Sequence, residues 1–220
     1  HTRMCEPLWV TLKVAILATM LAGATGIGLG WWMARRRFAG HALVDAFLMM
    51  PLVLPPTVLG YYLIVLIGRN GILGRYLDRW FGINLMFTWQ GAVLAAALVS
   101  LPLIYQAARA AFEDADKRMA DAARTLGAGE WEVFLRITLP LATRGVVAGL
   151  MLTFARAMGE FGATLMIAGN LPGKTQTLSI AIYDAVHAGN DAQALWLTLL
   201  ISVVCMVILV TSGRLLQAKH

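Results

Sequence analysis

Four stretches of the chain run for at least 21 residues without an Asp, Glu, Lys or Arg: Val14 to Ala34, Ala46 to Gly68, Leu85 to Ala108 and Ala192 to Gly213. A fifth, Gly145 to Gly173, is interrupted only by Arg156 and Glu160. The hydrocarbon core of a bilayer is about 30 Å thick and a helix rises about 1.5 Å per residue, so about 20 apolar residues make one span. Five such segments exceed what one small soluble core can bury. Hydrophobic residues are 59% of the chain and charged residues 14%, against roughly 45–50% and about 25% in soluble domains. The expected fold is all-α and integral to a membrane, a single transmembrane domain over residues 1–220. Its five expected spans lie at about 10–34, 46–68, 88–110, 145–169 and 192–214.

Basic residues in short loops stay on the cytoplasmic side. Arg35, Arg36 and Arg37 place the end of the first span inside, and Arg214 with Lys219 place the C-terminus there. Between spans three and four, the expected cytoplasmic loop 113–144 carries Lys117, Arg118, Arg124, Arg136 and Arg144. Three loops thus agree on an N-terminus outside and a C-terminus inside. Arg69, Arg75 and Arg79 dissent, since they follow span two with only Asp78 to offset them. The segment 170–191 has an uncharged part, Thr175 to Tyr183, too short to cross as a helix. It is expected as an outer interfacial or re-entrant element, because a sixth span would carry Arg214 and Lys219 outside. No small-residue cleavage site follows the first run, so it is expected to remain in the mature protein and not to leave as a signal peptide.

The same pattern excludes several function classes. A net charge of +6 and a pI near 9.7 suit nucleic acid binding only when one soluble face is basic, and here the cations sit at span ends. No nucleic acid partner is expected; contact with membrane lipid is. Cys5 and Cys205 are too far apart in sequence to suggest a disulfide framework or a CxxC site. No Gly-rich loop ends in Gly-Lys-Ser/Thr, and His1, His41, His187 and His220 form no paired constellation. Catalytic residues, a bound metal and a bound cofactor are therefore not expected on this chain.

The long basic loop carries the most specific local signal. It reads Asp121-Ala122-Ala123-Arg124-Thr125-Leu126-Gly127, then Ala128-Gly129-Glu130-Trp131 and onward to Ile137-Thr138-Leu139-Pro140. Alanines favour a helix up to Leu126, Gly127 and Gly129 interrupt it, and Trp131, Val133, Phe134 and Ile137 suit a second helix. Two readings of this helix-turn-helix follow from the residues: an element that docks into a partner, or a solvated amphipathic hairpin lying on the bilayer. The motif itself resembles that of the permease subunits of bacterial ABC importers: Glu-Ala-Ala, three residues, Gly, nine residues, Ile-x-Leu-Pro. Asp121 replaces the Glu. The resemblance implies a coupling helix from Asp121 to about Phe134 that sits in a cleft of a separate ATP-binding subunit, with Asp121, Ala122, Ala123, Arg124, Thr125, Leu126, Gly127, Ala128, Gly129, Glu130 and Trp131 as the docking residues.

Three further stretches are similar to molybdate permeases: Pro51 to Val58 (PLVLPPTV), Phe154 to Thr164 (FARAMGEFGAT) and Gly169 to Thr177 (GNLPGKTQT). Sulfate permeases share part of the second. The resemblance implies a molybdate importer permease of the bacterial or archaeal cytoplasmic membrane, with tungstate and sulfate as alternatives. It also implies the partners: a second copy of the chain, two ATP-binding cassette subunits that hold the ATP and Mg, and a periplasmic or extracellular oxyanion-binding protein. A secondary transporter driven by an ion gradient is a further alternative, for which inverted repeats and more spans are expected.

Residue chemistry adds a candidate pathway or gate. Pro51, Pro55 and Pro56 remove backbone donors, so span two is expected to kink or partly unwind, either beside a transport path or as a packing feature. Thr57 and Ser100 either line that path or bond their own helix backbone. Arg156 and Glu160 are four residues apart and are expected to pair, since an unpaired intramembrane charge costs at least about 2.5–3.5 kcal/mol. Thr164 follows them. The small residues Ala155, Gly159, Gly162 and Ala163 suit close helix packing, including a homodimer interface, although a monomeric membrane anchor also fits them. Lys174 and Arg69 are either contacts for a delivery protein or interfacial anchors.

Overall fold

The computed structural model describes residues 2–36, 38–82, 84–115 and 117–217; the readings of His1, Arg37, Lys219 and His220, and of the side chains of Cys5, Lys117 and Arg118, lie outside the described residues. Every regular element among the described residues is helical. Four helical stretches are long and apolar enough to cross a membrane: Glu6–Arg35, Trp89–Asp114, Glu130–Met158 and Asp191–Arg214. A bent pair, His41–Val53 with Pro56–Ile67, makes up to five.

Helix α1 (Thr2–Arg35) follows the first uncharged run. The third run forms the helix that the bundle is built around. Two short helices after α1 are α2 (His41–Val53) and α3 (Pro56–Ile67), then comes α4 (Gly74–Phe81), and the central helix is α5 (Trp89–Asp114). Small residues let its neighbours approach closely. A methyl group on Gly30 of α1 would lie 2.9 Å from the backbone nitrogen of Arg109, and one on Gly26 3.1 Å from that of Tyr105. The same device recurs on another neighbour. After α6 (Lys117–Thr125) and α7 (Glu130–Val133), a π-helical turn (Phe134–Thr138) leads into α8 (Leu139–Met158). Methyl groups on Gly145 and Gly149 of α8 would lie 2.7 and 2.6 Å from the Cβ atoms of Ala111 and Ala107. The remaining helices are α9 (Gly162–Ala168), α10 (Leu178–His187) and α11 (Asp191–Gln217).

Three sequence-based expectations change in detail. The second span is not one kinked helix. It breaks completely at Leu54 and Pro55, where the backbone is extended, and α2 and α3 meet at 113°. The cause is local: Leu54 precedes a proline, which disfavours helical dihedrals, and Pro55 and Pro56 cannot donate to carbonyls one turn back. The helical stretch that carries the fourth span begins at Glu130, ahead of the apolar run, and continues through the π turn to Met158. Pro140 lacks the N–H that the carbonyl of Arg136 would accept from, and the wider π turn stands directly before it. This span also stops short of 169, because it breaks between Gly159 and Phe161 before α9 begins.

Two of the three dissenting arginines after span two, Arg75 and Arg79, lie in α4, and Arg69 stands 3.9 Å from Asp78 of that helix. Its Tyr76 and Trp80 are exposed beside Arg75 and Arg79, the composition of a helix lying at a membrane interface. The segment after α9 contains the ten-residue α10, whose Leu178, Ile180, Ala181 and Ala185 are buried. Asn170 and Gln176 both donate to Asp184, at 2.7 Å each, closing the intervening loop onto this helix.

Helix α2 rests on α5 and leaves Leu43, Phe47 and Val53 exposed. Its polar anchor is Asp45, whose Oδ1 accepts from the Tyr105 hydroxyl and from Arg109 Nη1, at 2.6 Å each. Arg109 Nε in turn donates to Glu113 at 2.9 Å. Tyr105 is 1% exposed, so removing its acceptor strands a buried donor at a cost of about 1–3 kcal/mol. Asp45→Ala is expected to speed amide hydrogen exchange across α2 while α5 stays protected; equal protection of α2 in both proteins would show that the anchor is dispensable.

Candidate functional site

The basic loop is built by a defined stop and restart. Helix α6 ends with the Ala128 N–H bonded to the Ala123 carbonyl at 3.1 Å and the Gly127 N–H to Arg124 at 3.0 Å. Gly127 holds φ at +86°, the left-handed conformation that glycine adopts without strain and that closes helices in this way. Gly129 is extended and opens α7, whose first turn carries Glu130 and Glu132 against the positive helix end. The result is a helix-turn-helix with an open outer surface. Leu126 is 88% exposed and Trp131 67%, and a methyl group on Gly127 or Gly129 would meet nothing within 4 Å. Asp121, Ala122, Thr125 and Glu130 are also exposed, while Ala123, Arg124 and Ala128 are half-buried beneath them. All eleven candidate docking residues therefore belong to one surface patch.

Charges order this patch from within. Arg124 donates to Asp121 at 2.5 Å and through Nε to Glu130 at 2.9 Å, and Glu130 also pairs with Arg35 at the end of α1. Two guanidinium partners, Arg124 and Arg35, meet at the Glu130 carboxylate, and the hydrogen bond to Glu130 raises Arg124 above its ordinary range. Each pair is partly solvated and contributes about 0–1 kcal/mol by itself. Beneath them lies an aromatic cluster. Phe134 is 7% exposed, with ring centres at 4.7 Å from Trp31, 5.5 Å from Trp131 and 6.0 Å from Phe112. The Arg35 guanidinium stacks 4.9 Å from the Trp31 ring. Sequence reasoning used Arg35 only as a marker of orientation; nothing in its spacing from Glu130 signals their contact.

The pathway candidates divide into two groups. Pro55, Pro56 and Thr57 open α3, and Gly162 to Thr164 open α9, and the structure packs these two helix starts together. A methyl group on Gly162 would lie 3.0 Å from Pro56 Cβ and 3.5 Å from the Thr57 nitrogen. Two breaks more than a hundred residues apart in sequence thus form one junction. Thr57 is exposed there, whereas Thr164 is buried with its hydroxyl free of protein partners. Ser100 stands apart from the junction's polar groups. It is fully buried in α5 and donates to its own helix at Ala96, 2.5 Å away.

Arg156 and Glu160 pair at 2.8 Å, with Glu160 at 2% exposure and Arg156 at 32%. The carboxylate does not sit in mid-helix. It lies in the break after α8, and its Oε1 accepts from the Ala163 N–H at 3.0 Å, capping the first turn of α9. One buried carboxylate therefore joins the end of α8 to the start of α9. Arg156→Ala leaves it uncompensated, a cost of about 3–5 kcal/mol for a fully buried pair and less here because Arg156 is partly solvated. Expected are a low yield of assembled protein for Arg156→Ala and recovery in Arg156→Ala with Glu160→Gln, whose amide oxygen keeps the cap. Losses that add without recovery would show that the two residues do not compensate each other.

A bundle of apolar helices with broken interior segments and a projecting helix-turn-helix defines a membrane permease. Solved transporters share this fold. The inward-facing MetNI methionine ABC transporter superposes with a TM-score of 0.73 at 17% identity, over 97% of this chain and 94% of that one. A bacterial alginate ABC transporter in complex with its periplasmic protein gives 0.75 at 16% identity, over 99% and 80%. The chain belongs to the binding-protein-dependent transport system inner membrane component family, which matches residues 26–219. Among relatives, the molybdenum transport system permease protein ModB of Escherichia coli K12 is 44% identical over 99% of this chain and 97% of its own length. ModB of Haemophilus influenzae is 43% identical over 92% and 89%. The sulfate permease CysT of Escherichia coli K12 is 37% identical over 79% and 62%.

The turn geometry sets a further expectation for Gly127. Gly127→Ala strains a left-handed residue, at about 1 kcal/mol, but adds no clash within the chain. Gly127→Trp adds bulk to an otherwise open surface. Both variants should fold with unchanged helical circular dichroism; if the turn docks on an ATPase subunit, as the resemblance of its motif implies, only the Trp variant should lose that subunit on an affinity column. Full retention by Gly127→Trp would remove the turn from the docking surface.

Proposed function

We propose that this chain is the transmembrane permease subunit of an ATP-driven ABC importer that carries molybdate across the cytoplasmic membrane. The observation that carries the reading is the 44% identity to a molybdenum permease from end to end of the chain, higher and more complete than the 37% over 79% to a sulfate permease. Tungstate, a tetrahedral dianion of nearly the same size, remains the alternative cargo of the same machine.

In this reading the helix-turn-helix from Asp121 to Trp131 docks on an ATP-binding cassette subunit, which holds the ATP and Mg and performs the hydrolysis. Exposed Leu126 and Trp131 support it, because large apolar side chains on a projecting turn are suited to burial in a partner's cleft. Two such subunits, a second permease copy and an extracytoplasmic oxyanion-binding protein complete the assembly. This reading assigns the α3–α9 junction to the border of the path, supported by the broken helices that meet there and by exposed Thr57 at the start of α3. Arg156 is held by Glu160, so it acts there as half of a structural or gating pair and not as a free anion ligand.

Proteoliposomes containing the permease, its ATPase and a molybdate-loaded binding protein are expected to accumulate molybdate only with ATP inside the ATPase compartment, and to accept tungstate but not sulfate. Uptake by the permease alone, driven by an ion gradient, would overturn the assignment.

A further inference from the structure

We infer that α1 is a lever that joins the docking surface at one end of the bundle to α10 at the other, with Arg35 and Thr11 as its two positioning residues. The inference rests on the docking role proposed above for the helix-turn-helix and adds the route by which that surface reaches the far side.

The chain supplies one covalent route and lacks another. Helix α7 continues through the π turn into α8, so tilting the docking element moves the fourth span directly. Helix α1 has no such connection, since Arg35 and Glu130 are far apart in sequence. Its inner end is instead clasped twice by the docking segment. Arg35 pairs with Glu130, the residue that Arg124 of α6 also holds, and Trp31 packs on Phe134 at 4.7 Å. A rotation of the segment therefore carries the end of α1 with it.

At the opposite end α1 makes one buried polar contact with the segment beyond the fourth span. Thr11 is 1% exposed, and its Oγ1 accepts from the Leu178 backbone N–H at 2.7 Å while donating to the Pro7 carbonyl at 2.7 Å. That N–H belongs to the first residue of α10 and has no helical acceptor of its own. Thr11 and Arg35 are separated by about 36 Å of unbroken helix at about 1.5 Å per residue. The helix between them is held against α5 by the close contacts of Gly26 and Gly30, with Ile104 seated at Gly26, so it moves as a stiff body and does not flex. A stiff rod with a clasp at each end is what transmission between the two faces requires.

The Arg35 pair is solvated, so its loss leaves the fold intact and the effect is read in coupling. The test uses the complete transporter in lipid nanodiscs, measuring ATP hydrolysis with and without molybdate-loaded binding protein, and retention of the ATPase subunit. Arg35→Ala should lower the stimulation of hydrolysis by the loaded binding protein about fivefold or more, the low end of couplings between distant sites, a larger loss than any it causes in retention of the ATPase subunit. Arg35→Lys should keep most of the stimulation. Thr11→Val, which preserves shape and removes the acceptor, should give the same loss from the other end. Because both act on one lever, the double variant should be no worse than the weaker-coupled single variant. Wild-type stimulation in Arg35→Ala, or losses that multiply in the double variant, would overturn the lever. A wild-type complex whose ATPase subunit fails to bind the docking surface would overturn the underlying docking role instead.

Discussion

Close backbone contact along α5 is the constraint on which the rest of this structure depends. Lipid is as apolar as leucine, so burial of apolar side chains does not drive span association; packing at short range must. Gly26 and Gly30 on α1, and Gly145 and Gly149 on α8, let both helices touch α5 where a single methyl group would collide. Each pair is spaced by four residues and therefore lies on one helix face. With α1 and α8 fixed on α5, their inner ends meet Phe112 at the end of α5, and the Trp31–Phe134–Phe112 cluster forms there without further requirement.

This rigid trio contrasts with the segments that break. Helices α3 and α9 are short pieces whose starts meet at Pro56 and Gly162, and each exists because backbone hydrogen bonding was interrupted beforehand. The two interruptions differ in kind. At Leu54 and Pro55 the prolines remove donors and forbid helical dihedrals. At Gly159 to Phe161 no proline is present, and the restart is secured by Glu160, which bonds the Ala163 N–H and is itself neutralised by Arg156. The buried Glu160 carboxylate completes a helix start by accepting from the Ala163 N–H, which has no helical acceptor of its own.

Ion pairs divide along the same line. Those around Glu130 and Arg124 are solvated and add little stability individually, but they set the geometry of a projecting turn. The Arg156–Glu160 pair is largely buried on its acidic side, so its integrity is a condition of assembly. An exposed turn is suited to the first kind, and an interior junction to the second.

Much of the architecture was legible in the order of residues. Uncharged runs announce membrane helices because the bilayer tolerates nothing else at that length, the prolines after Met50 announce an interrupted span, and Gly127 announces the turn between α6 and α7. Arg156 and Glu160 were recognisable as partners because four residues separate them. What the order of residues left open is everything that depends on which helices become neighbours. That the breaks at Pro55 and Gly159 meet, and that Arg35 and Thr11 reach Glu130 and Leu178, were decided by packing around α5. Local sequence fixes where a chain can be helical and where it must stop, since those terms act within one turn; contacts between residues distant in sequence depend on the closest approach of whole helices, which only the folded bundle defines.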